Sequence, residues 1–176
     1  TVVVAKIEAG DLPEDVAARR VVTAVAPEAK ALNVTLAAPF TGRANIYAAA
    51  SGVLRIDTTA VRALNAVDEA ITLATLPDFA RVSARQLIGT VKIIPYGLPG
   101  QVVEAGVAAL GETTLRLHPF QGGTARLVMT RTPGFKDSLL TKGEAVVRER
   151  LDALSFRLED VVVVPHETTA VALEND

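Results

Sequence analysis

The chain opens on an apolar run, residues 2–7, that reads as a β-strand. Asp11-Leu12-Pro13-Glu14-Asp15 then has the marks of a helix start: a proline that pre-sets φ, and acids that meet the positive end of the helix dipole. That helix is predicted to run to about Ala26 and to stop at Pro27. A short strand is predicted over residues 34–38 and a turn at Thr41-Gly42-Arg43. Residues 45–50 and 52–56 read as strands around Ser51-Gly52, residues 58–67 as a short helix, and residues 70–76 as a strand ended by Pro77. Residues 87–94 predict another strand, ended by Pro95. Leu98-Pro99-Gly100 reads as a turn. Residues 101–110 fit a helix with Val103, Val107 and Leu110 on one side.

The pattern changes after Gln121-Gly122-Gly123. Strands are predicted over residues 115–117 and 126–130. Leu140, Val147, Leu151 and Leu154 then keep helical spacing, with Lys142, Glu144, Arg148, Glu149 and Asp152 on the other faces. Residues 160–164 form a continuous apolar run, so residues 127–164 read as a βαβ unit whose last strand is parallel and buried. The fold class is mixed, α+β with α/β. Residues 1–122 predict a β-rich, barrel- or sandwich-like domain with short helices. Residues 123–176 predict the incomplete start of an α/β domain, the first βαβ unit of a doubly wound sheet. The domain change falls at residues 121–124. Pro165-His166-Glu167 resembles a helix opening that is then cut short, and Met129 is the only methionine. The chain is therefore expected to be a fragment of a longer protein that lacks a complete catalytic site.

Composition narrows the chemistry. Of 176 residues, 49% are hydrophobic but only 4% aromatic, so the core is expected to consist of Val, Leu, Ile and Ala. The sequence contains no Cys, which excludes disulfides, thiolate metal sites and thiol nucleophiles. A formal net charge of -2 gives no basic footprint for nucleic acid. The apolar runs are far shorter than the roughly 20 residues a membrane helix needs. A soluble, cytoplasmic protein is expected.

Candidate site residues are few. Ala50-Ser51-Gly52-Val53-Leu54-Arg55-Ile56 and the later Gln86-Leu87-Ile88-Gly89-Thr90-Val91-Lys92 resemble the small barrel-like sandwiches of biotinyl and lipoyl carriers. No Lys lies between Lys30 and Lys92, so covalent carriage has no residue to act through. Asp68 and Glu69 are paired carboxylates, the residue types for a cation or for acid–base work. Neighbours on an extended chain face opposite ways, so an acidic turn is the plainer reading. Lys92, inside an apolar strand, reads either as an anion contact at an edge or as part of a solvated strand face. Thr130-Arg131-Thr132-Pro133-Gly134-Phe135-Lys136-Asp137 follows a strand and precedes the long helix, where open α/β sheets place ligands and where helix N–H groups attract anions. It lacks P-loop spacing, and its plainer reading is an ordinary solvated loop. His118 and His166 have no third ligand at metal spacing, so no metal site is expected.

Three segments, Thr41-Gly42-Arg43-Ala44-Asn45-Ile46-Tyr47-Ala48, Leu64-Asn65-Ala66-Val67-Asp68-Glu69-Ala70-Ile71-Thr72-Leu73-Ala74-Thr75-Leu76 and Thr90-Val91-Lys92-Ile93-Ile94-Pro95-Tyr96, together resemble the molybdopterin-binding proteins similar to molybdopterin molybdotransferase. Residues 130–137 and the helix after them are similar to the opening of that family's α/β domain. The resemblance implies a role in molybdenum cofactor synthesis, insertion or delivery. Molybdopterin would be the ligand, with Mg²⁺ and molybdate as companions and no covalent cofactor. It implies that Thr130, Arg131, Gly134, Lys136 and Asp137 bind the cofactor. Arg131 and Lys136 would pair with its phosphate, and Asp137 would cap the helix or orient a ligand group. Asp68, Glu69 and Lys92 would line a cleft between domains or within a dimer. The implied partners are the pterin, a client molybdoenzyme and a second copy of the chain, with neither nucleic acid nor membrane. Three roles stay open: a molybdotransferase-like enzyme, a non-catalytic cofactor carrier, and a structural dimerisation domain. The family's later ligand loops would fall beyond Asp176, so the fragment is expected to be inactive and to bind the pterin poorly.

Overall fold

A computed structural model describes residues 7–174. The chain divides into two compact units, Thr1–Pro119 and Phe120–Asp176. The strand expected over residues 2–7 lies outside the described residues, Ile7 excepted.

The first unit runs β1 (Asp11–Pro13), α1 (Glu14–Val25), β2 (Val34–Leu36), β3 (Arg43–Ala48), β4 (Gly52–Ile56) and α2 (Thr58–Asn65). It continues with β5 (Ile71–Thr75), β6 (Arg81–Val82), β7 (Leu87–Ile93), β8 (Gly97–Pro99), α3 (Gly100–Ala109) and β9 (Leu115–Pro119). Helix α1 starts as its residues dictate. Pro13 at the N-cap holds φ at -55°, Glu14 and Asp15 occupy the first turn, and the helix stops at Ala26, before Pro27. Its buried face, Ala17, Ala18, Val21, Val22 and Val25, repeats at helical spacing. Helix α2 is capped by Asp57, whose carboxylate accepts from the N–H groups of Thr59 and Ala60.

The strands form a four-stranded antiparallel sheet, β2-β3-β7-β5, a three-stranded sheet, β6-β4-β9, and a two-stranded pair, β1-β8. The barrel-like closure expected for this part does not occur among the described residues. Helix α1 packs on β3 and β7, α2 on β5, and α1 and α2 both meet α3. Helices therefore fill the place that facing strands take in a barrel or sandwich. One core joins Ala18, Val21 and Val25 of α1 to Ile46, Val91, Ile71, Leu54 and Leu117 of the sheets. Fully burying one such Leu or Ile contributes about 1.5–3 kcal/mol. The turn expected at Leu98-Pro99-Gly100 is instead the end of β8 and the first residue of α3. Leu98 pairs with Leu12 in the antiparallel β1-β8 ladder. Pro99, like Pro13, serves as an N-cap with φ fixed, here at -53°.

Two sets of polar contacts fasten this unit. Gly42 adopts φ +69° in the turn, and its N–H donates to the Asp15 carboxylate at 2.8 Å, tying that turn to the first turn of α1. The Asn65 amide donates to the Leu73 carbonyl at 3.0 Å and accepts from the Leu73 N–H at 2.8 Å, locking the end of α2 onto β5.

The second unit runs β10 (Gly123–Arg131), α4 (Asp137–Asp152), β11 (Phe156–Pro165) and α5 (Thr168–Ala172). Strands β10 and β11 are parallel, with Thr130 opposite Val164, so this is a βαβ unit. Helix α4 ends at Asp152, which leaves Leu154 outside it and 37% exposed. The apolar run of β11 is not buried on both faces as expected. Val163 is 42% exposed, and Leu140, Leu158 and Val164 are the buried hydrophobics of this unit among the described residues. The sheet has two strands, so too little packs against it to cover both faces. No helix among the described residues is long and apolar enough to cross a membrane.

Candidate functional site

Because β10 and β11 are parallel, their carboxyl ends share one rim. Ligands in open α/β sheets sit at such rims. A cleft of about 770 Å³ opens there, lined by Arg131, Gly134, Phe135, Asp137, His166 and Glu167 among others. Gly134 has φ +82° with open space around it, which lets the loop turn back toward α4. Phe135, 42% exposed, offers an apolar wall.

Helix α4 has 16 residues, and no side chain caps its start. Its first N–H groups have no intrahelical acceptor. Only that of Leu139 is tied back, to the Lys136 carbonyl at 2.9 Å. Asp137 was expected either to cap the helix or to orient a ligand group. It does not cap: Lys136 occupies the N-cap position, and Asp137 is the first helical residue. Its carboxylate instead meets the Arg131 guanidinium at 2.6 Å. Both side chains are solvated, at 49% and 78% exposure. Such a pair contributes about 0–1 kcal/mol, so a phosphate that accepts charge-assisted hydrogen bonds can compete for Arg131.

Thr130 adds a partner that sequence reasoning missed. Its hydroxyl lies 2.8 Å from His166 Nδ1, and the backbone N–H of His166 donates to the Arg131 carbonyl at 3.0 Å. His166 and Glu167 stand on the cleft beside Arg131. The signal was present, since His166 follows the last residue of β11, Pro165, and parallel pairing carries it to the same rim as Thr130. The structure thus brings Thr130, Arg131, Gly134 and Asp137 together around one rim, with Lys136 exposed at the N-cap.

The three residues expected to line another cleft are placed in the first unit. The Asp68 carboxylate accepts from the Ala70 N–H at 2.8 Å and closes the turn into β5, and Glu69 beside it is exposed. Lys92 is exposed on β7, with Arg43 and Thr72 as its cross-strand neighbours. No group of three or more His, Asp or Glu placed to hold a metal occurs among the described residues. Comparison with protein-family models, with curated proteins and with solved structures finds no match to this chain.

Proposed function

We propose that the rim of β10 and β11 receives the phosphate end of a molybdopterin-type ligand, and that the chain serves molybdenum cofactor handling. The supporting observation is the uncapped start of α4 with Arg131 held beside it by Asp137. Backbone N–H groups and a partial positive charge at a helix start favour a phosphate. Arg131 can leave its solvated carboxylate partner for a bidentate contact, and Lys136 adds a second cation at the N-cap. Arg131 and the free N–H groups of α4 would hold the phosphate, with the carboxylates of Asp137 and Glu167 on the same rim. When bound, a molybdopterin would supply the dithiolene that holds molybdenum. The chain's own residues would grip and orient its anionic end.

The reading is one of binding. Carriage and delivery require the grip alone, whereas metal insertion requires further groups to act on the bound pterin. The test is a fluorescence titration of molybdopterin into this chain and into its Arg131→Ala/Lys136→Ala variant. We expect the variant to bind at least tenfold more weakly, equivalent to about 1.4 kcal/mol. Equal affinity would return the loop to an ordinary solvated connection.

A further inference from the structure

We propose a second, independent anion site in the first unit, built on the three-stranded sheet and fitted to a single phosphate group, free or as a monoester. The antiparallel register sets Arg55 of β4 directly opposite Arg116 of β9. Like charges placed so in a sheet repel and weaken it. The two arginines are compensated unequally. Arg55 pairs with Asp78 at 3.0 Å and stacks on the Phe79 ring at 4.1 Å. Arg116 takes part in none of the ion pairs found among the described residues. One positive charge therefore lies on the sheet without a counter-charge.

Both arginines line one cleft of about 480 Å³, together with Thr58, Thr113, Thr114 and His118. Thr114 lies in the wall of the cleft. It is fully buried, and its hydroxyl has no hydrogen-bond partner. A phosphate in this cleft provides a counter-charge for Arg116, whereas the Thr114 hydroxyl has no accessible surface and stays behind the cleft wall. Thr58 and Thr113 are exposed there and offer further hydroxyl donors.

One acid also lines the cleft. The Asp57 carboxylate accepts from the N–H groups of Thr59 and Ala60 at 2.9 and 3.0 Å, so the start of α2 already holds its charge. The α2 N-terminus is thus spent on Asp57, and the site rests on the arginines and threonines. With one uncompensated arginine and one nearby carboxylate, the cleft suits a single phosphate better than a polyphosphate.

The test uses the whole chain. Inorganic phosphate and glycerol phosphate are titrated in separate arms while backbone amide NMR signals are followed. We expect saturable shifts at residues 113–116 and 55–58, separate from any at residues 131–138. The tighter-binding arm identifies the source of the phosphate. Arg116→Ala should weaken that response at least tenfold. The isosteric Thr114→Val, which keeps the packing and alters only a hydroxyl sealed from the cleft, should leave it unchanged. Thermal melts give a second readout: phosphate should raise the melting temperature of the wild type but not that of Arg116→Ala. Absence of shifts at residues 113–116, or shifts that survive intact in Arg116→Ala, would overturn the site while leaving the reading of the β10 and β11 rim untouched.

Discussion

The Thr130 hydroxyl and His166 Nδ1 lie 2.8 Å apart across the carboxyl ends of two parallel strands. The contact fixes one ring nitrogen of a histidine that stands on the cleft beside Arg131. Which partner donates follows from the ring's tautomer. Thr130→Val removes the partner and leaves the ring free to turn. Because the contact is exposed, stability should change by less than about 1 kcal/mol. The imidazole nitrogen NMR signals of His166 should change their tautomer balance. An unchanged spectrum in the variant would show that the contact does not persist in solution.

Asp78 predicts an acid-sensitive feature. Its carboxyl is held below the usual carboxylate range, first by the N–H of Ile56 and then by the Arg55 guanidinium, against a partly opposing desolvation. Glu104 is likewise lowered, by its hydrogen bonds from Arg20, which link α1 to α3. A carboxyl whose folded pKa is depressed stabilises the fold above its unfolded pKa, and that stability is lost as pH falls through the folded value. Urea midpoints should therefore fall on acidification below the ordinary carboxylate range. The double variant Asp78→Asn/Glu104→Gln should lose part of that slope. An identical slope in the variant would place the acid response elsewhere.

Gly52 marks a close approach of two strands. A Cβ there would come within 2.2 Å of the His118 carbonyl oxygen, on rigid β9 backbone. Gly52→Ala should destabilise the first unit by about 2 kcal/mol or more, since strand backbone must move. Gly111→Ala is the control, because a Cβ at that position meets nothing within 4 Å. It should be neutral or stabilising by up to about 1 kcal/mol. Chemical denaturation of both variants reads the contrast.

Leu64 is fully buried at the end of α2, with its Cδ1 3.1 Å from where a Cβ on Gly106 would sit. Leu64→Ala leaves a cavity between α2 and α3 and should remove about 2–5 kcal/mol of stability. Leu140→Ala in α4, where solvent is close and few groups are buried, should remove less from its own unit. Amide exchange should follow the same order, with slower exchange at Ile71 and Val91 than at Val128 and Val162.

The helices and most strands could be read from the chain because their apolar spacing is long enough to show a period. Pro13, Glu14 and Asp15 announce the start of α1 and Pro27 its end, and the loop at Thr130–Asp137 announces a strand-to-helix turn. Strand β6 has two residues, and β1 and β8 have three each, too few for any alternation to appear. The valine run of β11 carries the pattern of a buried strand, but pattern cannot reveal that one strand alone pairs with it. At the candidate site, the rim was legible and its wiring was not. The meeting of Arg131 with Asp137 depends on side-chain direction across a loop. The facing of Arg55 and Arg116 depends on register between strands far apart in the sequence.

The pairing of Leu54 with Leu117 joins β4 to a strand made much later in synthesis. As the chain leaves the ribosome, one edge of β4 stays bare until β9 emerges, although β3, β7 and β5 can already associate. Closing so long an intervening loop slows assembly of the first unit, whereas β10, α4 and β11 meet their neighbours almost as they appear. The unit with the larger core is then the slower to mature, and in that interval its exposed β4 edge is the surface a chaperone would have to shield.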